Sequence, residues 1–146
     1  MKRAVSTCLK SLTVMAFASL GGVMATTAPA SADLCWNHNG SLMRLQASGN
    51  QRTFRYERPR SVLRAAGVRR GTVLFHGVKR GNTYSGTAYR FSKFCPGSPL
   101  GYSVFGPVSS NQLRVVVEGA RDVYRRCRNT GRTAYDTLVF TYSHQC

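Results

Sequence analysis

Short runs of alternating apolar and polar residues, separated by turn residues, constrain this chain more than any other feature. In the segment 41–47, for example, Met43, Leu45 and Ala47 fall on one face. A two-residue period is typical of strands, whereas a helix repeats every 3.6 residues. After residue 32 the only helix candidate is a single turn, Ser61–Ala66, which ends before a glycine. The sequence therefore predicts an all-β fold.

Eight short strands are predicted at roughly ten-residue spacing, which is typical of a β-sandwich or a barrel. The clearest hairpin turns at Gly81-Asn82, where glycine and asparagine accept positive φ angles. Because closure removes exposed strand edges, successive hairpins favour a small antiparallel meander barrel, with a β-sandwich as the alternative. The predicted strands are 41–47, 51–57, 72–78, 83–92, 102–105, 112–118, 121–128 and 137–142.

The first 32 residues have the features of a secretory signal peptide. Lys2 and Arg3 give a positive start, residues 12–25 are uncharged and largely apolar, and the small residues 30–32 form a cleavage motif. The apolar run is shorter than the roughly 20 residues that cross a bilayer. We therefore predict export to the periplasm or the extracellular space after cleavage behind Ala32, with no membrane span. The remaining segment, 33–146, has the length of one domain.

Four cysteines lie in the predicted domain, and an even number in an exported chain indicates two disulfides. Three pairings are possible. A Cys35–Cys146 bridge would tie the two ends of a closed meander together, which leaves Cys95–Cys127 as the second bridge. Zinc is the alternative, but Cys35-x-x-His38 has no second ligand pair to complete a tetrahedral site. Each bridge should stabilise the fold by about 2–4 kcal/mol.

The predicted domain is strongly basic. It holds 18 of the 21 lysines and arginines and all five acidic residues, so its net charge is 18 minus 5, or +13. Closely spaced cations release counterions from a polyanion, so we predict an anionic polymer or an acidic protein as partner. A solvated basic surface without a partner is the alternative. The candidate anion-binding residues are Arg52, Arg55, Arg58, Arg60, Arg64, Arg69, Arg70, Arg121, Arg125, Arg126 and Arg128.

Aromatic residues interleave with these arginines, and their role depends on the fold. On an open β-face they would stack on bases or sugar rings. In a closed barrel they would belong to the core, which is the role we predict for Phe54, Tyr56, Phe75, Tyr89 and Phe140. The interior of an eight-stranded barrel holds either packed side chains or one small ligand, and the sequence leaves both open.

Groups suited to catalysis are scarce in the predicted domain, which has five acidic residues and three histidines. Glu57 and Glu118 could form a carboxylate pair for glycoside cleavage, but neighbouring arginines would lower their pKa values, which favours structural ion pairs. His38 and His144 would approach each other if the terminal cysteines pair, yet they lack a third metal ligand. No nucleophile elbow or phosphate-binding loop is present.

These observations favour a binding module over an enzyme, with no catalytic residue, cofactor or metal predicted. One alternative is a protein–protein module, or an inhibitor of an extracellular enzyme, in which loop 58–67 or loop 96–101 enters an acidic cleft. A small hydrolase is less favoured because of the missing catalytic groups. The oligomeric state is left open.

Three segments carry a resemblance to known proteins: Phe54-Arg-Tyr-Glu-Arg-Pro-Arg, Gly67-Val-Arg-Arg-Gly-Thr-Val-Leu-Phe-His-Gly and Gly81-Asn-Thr-Tyr-Ser-Gly-Thr-Ala-Tyr-Arg-Phe. They resemble segments of small secreted or periplasmic proteins of proteobacteria whose function is unknown. The resemblance covers residues 41–142 and implies a small β-fold in an exported bacterial protein, with no catalytic or binding residue to carry over. A weaker similarity is to periplasmic lysozyme inhibitors, but a +13 protein would repel basic animal-type lysozymes.

Overall fold

The alternating segments form β-strands in the computed structural model, which describes residues 33–146. Each strand pairs antiparallel with the next, and the last pairs with the first, so the sheet closes into a meander barrel. This confirms the predicted fold class and excludes the sandwich. The predicted signal peptide lies outside the described residues. The strands are β1 (Leu34–His38), β2 (Ser41–Ser48), β3 (Gln51–Arg58), β4 (Val73–Arg80), β5 (Thr83–Arg90), β6 (Leu100–Pro107), β7 (Arg114–Arg125) and β8 (Arg128–Gln145).

The predicted number of strands is correct, but one strand was missed, one was divided in two, and β8 begins at Arg128 and not at residue 137. The sequence pattern missed β1, in which a register shift between Cys35 and Trp36 interrupts the two-residue period. The predicted strands 112–118 and 121–128 are one strand, β7, because Gly119 continues the ladder by pairing with Asp136 of β8. One missed strand and one divided strand therefore cancelled, and the predicted total of eight strands was correct.

The predicted helical turn is confirmed as a 3₁₀ helix over Ser61–Ala66. It ends at Gly67, whose φ of 85° favours glycine. A Cβ atom on Gly67 would lie 2.9 Å from the backbone nitrogen of Gly97. The β3–β4 connection is therefore packed closely against the β5–β6 loop.

Aromatic side chains fill the middle of the barrel. Phe54 stacks on Phe140 with ring centroids 3.9 Å apart, and Trp36 meets Phe54 edge-on at 5.6 Å. Phe75 and Tyr56 are also buried, so the core prediction is correct for four of its five aromatic residues. Buried side chains therefore fill the centre of the interior and form one hydrophobic core.

Tyr89 is the aromatic residue for which the core prediction is wrong. On β5 the inward residues are Tyr84 and Ala88, so the two-residue period turns Tyr89 to the outer face. There its ring stacks on His76, and its hydroxyl lies 3.1 Å from Nε2 of that histidine.

Both predicted disulfides are confirmed. Cys35–Cys146 joins β1 to the chain end, and Cys95–Cys127 joins the β5–β6 loop to the β7–β8 turn. These bridges use all four cysteines of residues 33–146, so the zinc alternative loses its cysteine ligand. Two disulfides are consistent with an oxidising, exported environment. Within the described segment, no helix has the length and apolar character needed to cross a membrane.

Candidate functional site

The two ends of the barrel carry different connections, because successive antiparallel strands turn at alternate ends. One end of the barrel carries the connections 39–40, 59–72, 91–99 and 126–127, and we call it the upper end. The lower end carries turns 49–50 and 81–82 and the connection 108–113. Three of the four upper connections contain arginine or lysine side chains, and two of them are joined by the Cys95–Cys127 bridge.

The longest hairpin extends beyond the upper end. Strand β7 has 12 residues and β8 has 18, whereas β6 has eight. The outer part of this hairpin pairs only with itself, and residues 124–133 are all exposed. We call residues 124–133 the hairpin tip. The tip is available to a partner while the rest of the hairpin forms the barrel wall.

Three arginines converge at the hairpin tip. Arg125 and Arg128 are opposite each other in the ladder, Arg126 lies in the turn between them, and the three line one surface. None of the three forms an ion pair with any residue in 33–146. Asp122, the acid nearest to them along the hairpin, accepts a hydrogen bond from Asn129 Nδ2 at 3.1 Å. The tip therefore carries concentrated, uncompensated positive charge.

The turn at the tip has an uncommon backbone. Arg126 and Cys127 have φ angles of 49° and 63°. Two-residue hairpin turns of this kind usually contain asparagine and glycine, and a side-chain-bearing residue in this region costs about 1–3 kcal/mol. The predicted strand 121–128 runs through this turn, so its end is wrong. The bridge from Cys127 to Cys95 holds the observed turn against the barrel.

A pocket of about 340 Å³ separates the tip from the β5–β6 loop. Phe94, Leu100 and Tyr124 give it apolar walls, Arg125 and Arg126 border it, and no acidic residue lines it. Phe94 is 70% exposed, which is unusual for so large an apolar side chain. The site thus places aromatic surface beside the three arginines.

Sequence reasoning missed the contribution of the β5–β6 loop. Lys93 places its Nζ atom 5.2 Å from the centroid of the Phe94 ring, which adds a lysine to the arginines of the tip. The sequence feature that could have indicated this contribution is Phe94, which stands next to Cys95 in a loop rich in proline and glycine. Only the Cys95–Cys127 pairing shows that this loop borders the arginines.

Five of the eleven predicted anion-binding residues are held by oxygen atoms of the protein itself. Arg70 pairs with Glu57 at 2.5 Å, and Arg121 pairs with Asp136 at 2.6 Å. The other three donate to backbone carbonyl or glutamine oxygens, and they are Arg52, Arg55 and Arg69. The predicted set is therefore not one surface.

The remaining six predicted residues form two groups at the upper end. Arg58 ends β3, Arg60 and Arg64 lie in the β3–β4 connection, and none of the three forms an ion pair within the described segment. Arg125, Arg126 and Arg128 belong to the hairpin tip. Two of these three border the pocket beside the β5–β6 loop, and we take the tip, Lys93 and Phe94 as the candidate site.

Glu57 forms the structural ion pairs that the sequence predicted. It accepts from Arg44 Nε at 2.9 Å and pairs with Arg70, and Arg44 also reaches Asp33 at 2.6 Å. These guanidinium groups, Arg44 first, lower the pKa of Glu57. Glu118 lies on β7, on the opposite wall of the closed barrel from β3. The two carboxylates therefore do not form a catalytic pair.

Glu57→Gln should destabilise the fold by about 1 kcal/mol near neutral pH and by less in acid. Because the pKa of folded Glu57 is below its ordinary value of 4.5, the ion pairs stabilise fully above pH 4.5 and are lost as the pH falls through the lowered pKa. Urea unfolding at several pH values would measure the difference from wild type. Glu118→Gln is the control, and a Glu57→Gln difference that persists unchanged into strong acid would contradict the prediction.

The two terminal histidines do not form a joint site. His38 is buried, its Nδ1 lies 2.9 Å from the carbonyl oxygen of Val139, and burial lowers its pKa. His144 is exposed and pairs with Cys35, toward the lower end, while His38 lies at the upper end. Within residues 33–146 no group of three His, Cys, Asp or Glu side chains is placed to hold a metal ion.

Comparison of the chain with models of protein families, with curated proteins and with solved structures gives no match. The geometry of the hairpin tip and its charge are therefore the features from which we infer what the protein binds.

Proposed function

We propose that this protein is an exported, non-enzymatic binding module whose hairpin tip engages an anionic polymer. The observation that carries the proposal is the convergence of Arg125, Arg126 and Arg128 on one exposed turn with no acidic partner among residues 33–146. In this proposal residues 1–32 direct export and are removed after Ala32, and the two bridges form in the oxidising compartment.

The composition of the site suits a polymer that has both charges and rings. Guanidinium groups bind phosphate or sulfate oxygens in pairs of hydrogen bonds, and many contacts at close spacing release counterions. Phe94 and Tyr124 offer flat apolar surface on which a base or a sugar ring can stack. A polymer with a charge on each repeating unit can use both features at once.

An acidic protein is the second candidate partner, and one contact favours it. The β5–β6 loop, which contains residues 96–99 of the predicted insertion segment 96–101, is fixed beside the tip by the Cys95–Cys127 bridge. A fixed loop that projects next to three arginines could enter an acidic cleft with little loss of conformational entropy. In that case Phe94 would be an anchor residue in the partner's pocket.

Retention on immobilised heparin, single-stranded DNA and lipopolysaccharide, measured over a range of salt concentrations, tests the proposal. For a polymer site we expect retention near physiological salt and a steep loss as salt rises. Indifference to all three polymers at about 0.15 M salt would refute it. Binding to one acidic protein without retention on any polymer would instead support the second candidate.

A further inference from the structure

A cavity of about 230 Å³ opens at the upper end of the barrel, and no residue that lines it lines the pocket beside the hairpin tip. Tyr56 of β3 and Asp136 of β8 lie on its walls. Arg60 and Leu63 come from the β3–β4 connection, and Phe91 follows β5. Aromatic side chains pack the centre of the barrel, and this cavity gives a ligand access to the interior from the upper end.

Two hydrogen-bond donors in this cavity have no acceptor among the described residues. Tyr56 is 3% exposed, and its hydroxyl makes no hydrogen bond within residues 33–146. Burial raises the pKa of Tyr56 to about 12, so the hydroxyl keeps its proton. Arg60 is exposed and forms no ion pair within residues 33–146. An oxygen acceptor from a ligand would satisfy both donors.

The acid on the facing wall does not compensate Arg60. Asp136 accepts from Arg121 Nε at 2.6 Å and from the Tyr102 hydroxyl at 3.3 Å, and Arg90 lies 3.8 Å away. Two arginines thus already neutralise this carboxylate. His38, also on the wall, is held neutral because burial lowers its pKa. The cavity is therefore positively charged at neutral pH.

Apolar side chains form much of the remaining wall, including Leu63, Leu74, Phe91 and Leu138. The cavity is smaller than the roughly 300–1,000 Å³ of typical drug-sized sites, so its ligand must be small. We propose that this cavity binds a small molecule with one carboxylate and a compact apolar body. The carboxylate lies against Arg60 and the Tyr56 hydroxyl, and the body packs on Leu63, Leu74 and Phe91.

Titration with 3-phenylpropionate, benzoate and hexanoate, each beside its uncharged amide, tests this inference by calorimetry or NMR shifts. We expect at least one acid to bind with a Kd of about 1 mM or tighter and its amide to bind at least tenfold more weakly. Tyr56→Phe and Arg60→Gln should each weaken binding of the acid about tenfold or more. Absence of binding by all three acids, or equal binding of acid and amide, overturns the proposal.

Matched variants separate a specific contact from a general change in the protein. Tyr84→Phe alters a buried tyrosine that does not line the cavity, and Arg64→Gln removes a charge from the same connection, also outside the lining. Both should bind the acid like wild type, and an equal loss in either control would overturn the assigned contacts. Thermal unfolding of each variant checks that it is folded. Heparin should not displace the acid, so failure here and failure of the tip proposal are distinguishable.

Discussion

Replacing the three tip arginines, as Arg125→Gln, Arg126→Asn and Arg128→Gln in one chain, should weaken polymer binding about 100-fold at 0.15 M salt. Each phosphate contact adds roughly 0.7–0.9 to the slope of log K against log salt concentration. At about 0.15 M salt, one such contact raises the affinity about four- to fivefold. Losing three contacts should also reduce the slope by two to three. Asparagine at position 126 keeps a residue that tolerates the positive φ of the turn.

The matched control removes three charges from elsewhere: Arg64→Gln, Arg80→Gln and Arg114→Gln. These side chains are exposed, form no ion pair within the described residues and lie outside the tip and the pocket beside it. Both triple variants change the net charge by the same amount, so a general attraction to a basic protein would weaken equally in the two. Equal losses of affinity, measured by fluorescence anisotropy with single-stranded DNA, would show that the tip is not a site.

The fold could be predicted from the sequence because it depends on local sequence signals. Period-two runs and turn residues specify a succession of hairpins, and the terminal position of two cysteines agrees with a closed barrel. The errors fall where a local signal was disturbed. Strand β1 has a register shift beside Cys35, and the turn at Arg126-Cys127 has neither glycine nor asparagine to mark it.

The site could not be read from the sequence to the same extent, because it depends on register across strands. Arg121 and Arg125 are four residues apart on β7, yet Arg121 pairs with Asp136 within the barrel while Arg125 projects at the tip. The amino-acid composition does not distinguish the paired arginine from the exposed one. Similarly, Phe94 is more than 30 positions from Arg126 along the chain, and only the Cys95–Cys127 bridge brings them together.

Removing either disulfide should cost stability, but only one of them should affect binding. In the chain-entropy model, bridges that span 111 and 32 residues stabilise by about 5 and 4 kcal/mol, respectively. We therefore expect Cys35→Ser with Cys146→Ser, and Cys95→Ser with Cys127→Ser, to lower the free energy of unfolding by about 3–5 kcal/mol. Urea unfolding under non-reducing conditions would measure both losses.

The affinity for single-stranded DNA distinguishes the roles of the two bridges. Each double variant is assayed at a temperature at which it is folded. Without Cys95–Cys127 the β7–β8 hairpin still presents its arginines, but Phe94 is no longer held beside them. Affinity should therefore fall about tenfold, the value of one stacking contact, while the salt slope stays unchanged. Without Cys35–Cys146, which lies toward the lower end, affinity and slope should both match wild type. A reduced salt slope in the Cys95–Cys127 variant would instead mean that the bridge positions the charges, and the aromatic contribution to the site would then have to be withdrawn.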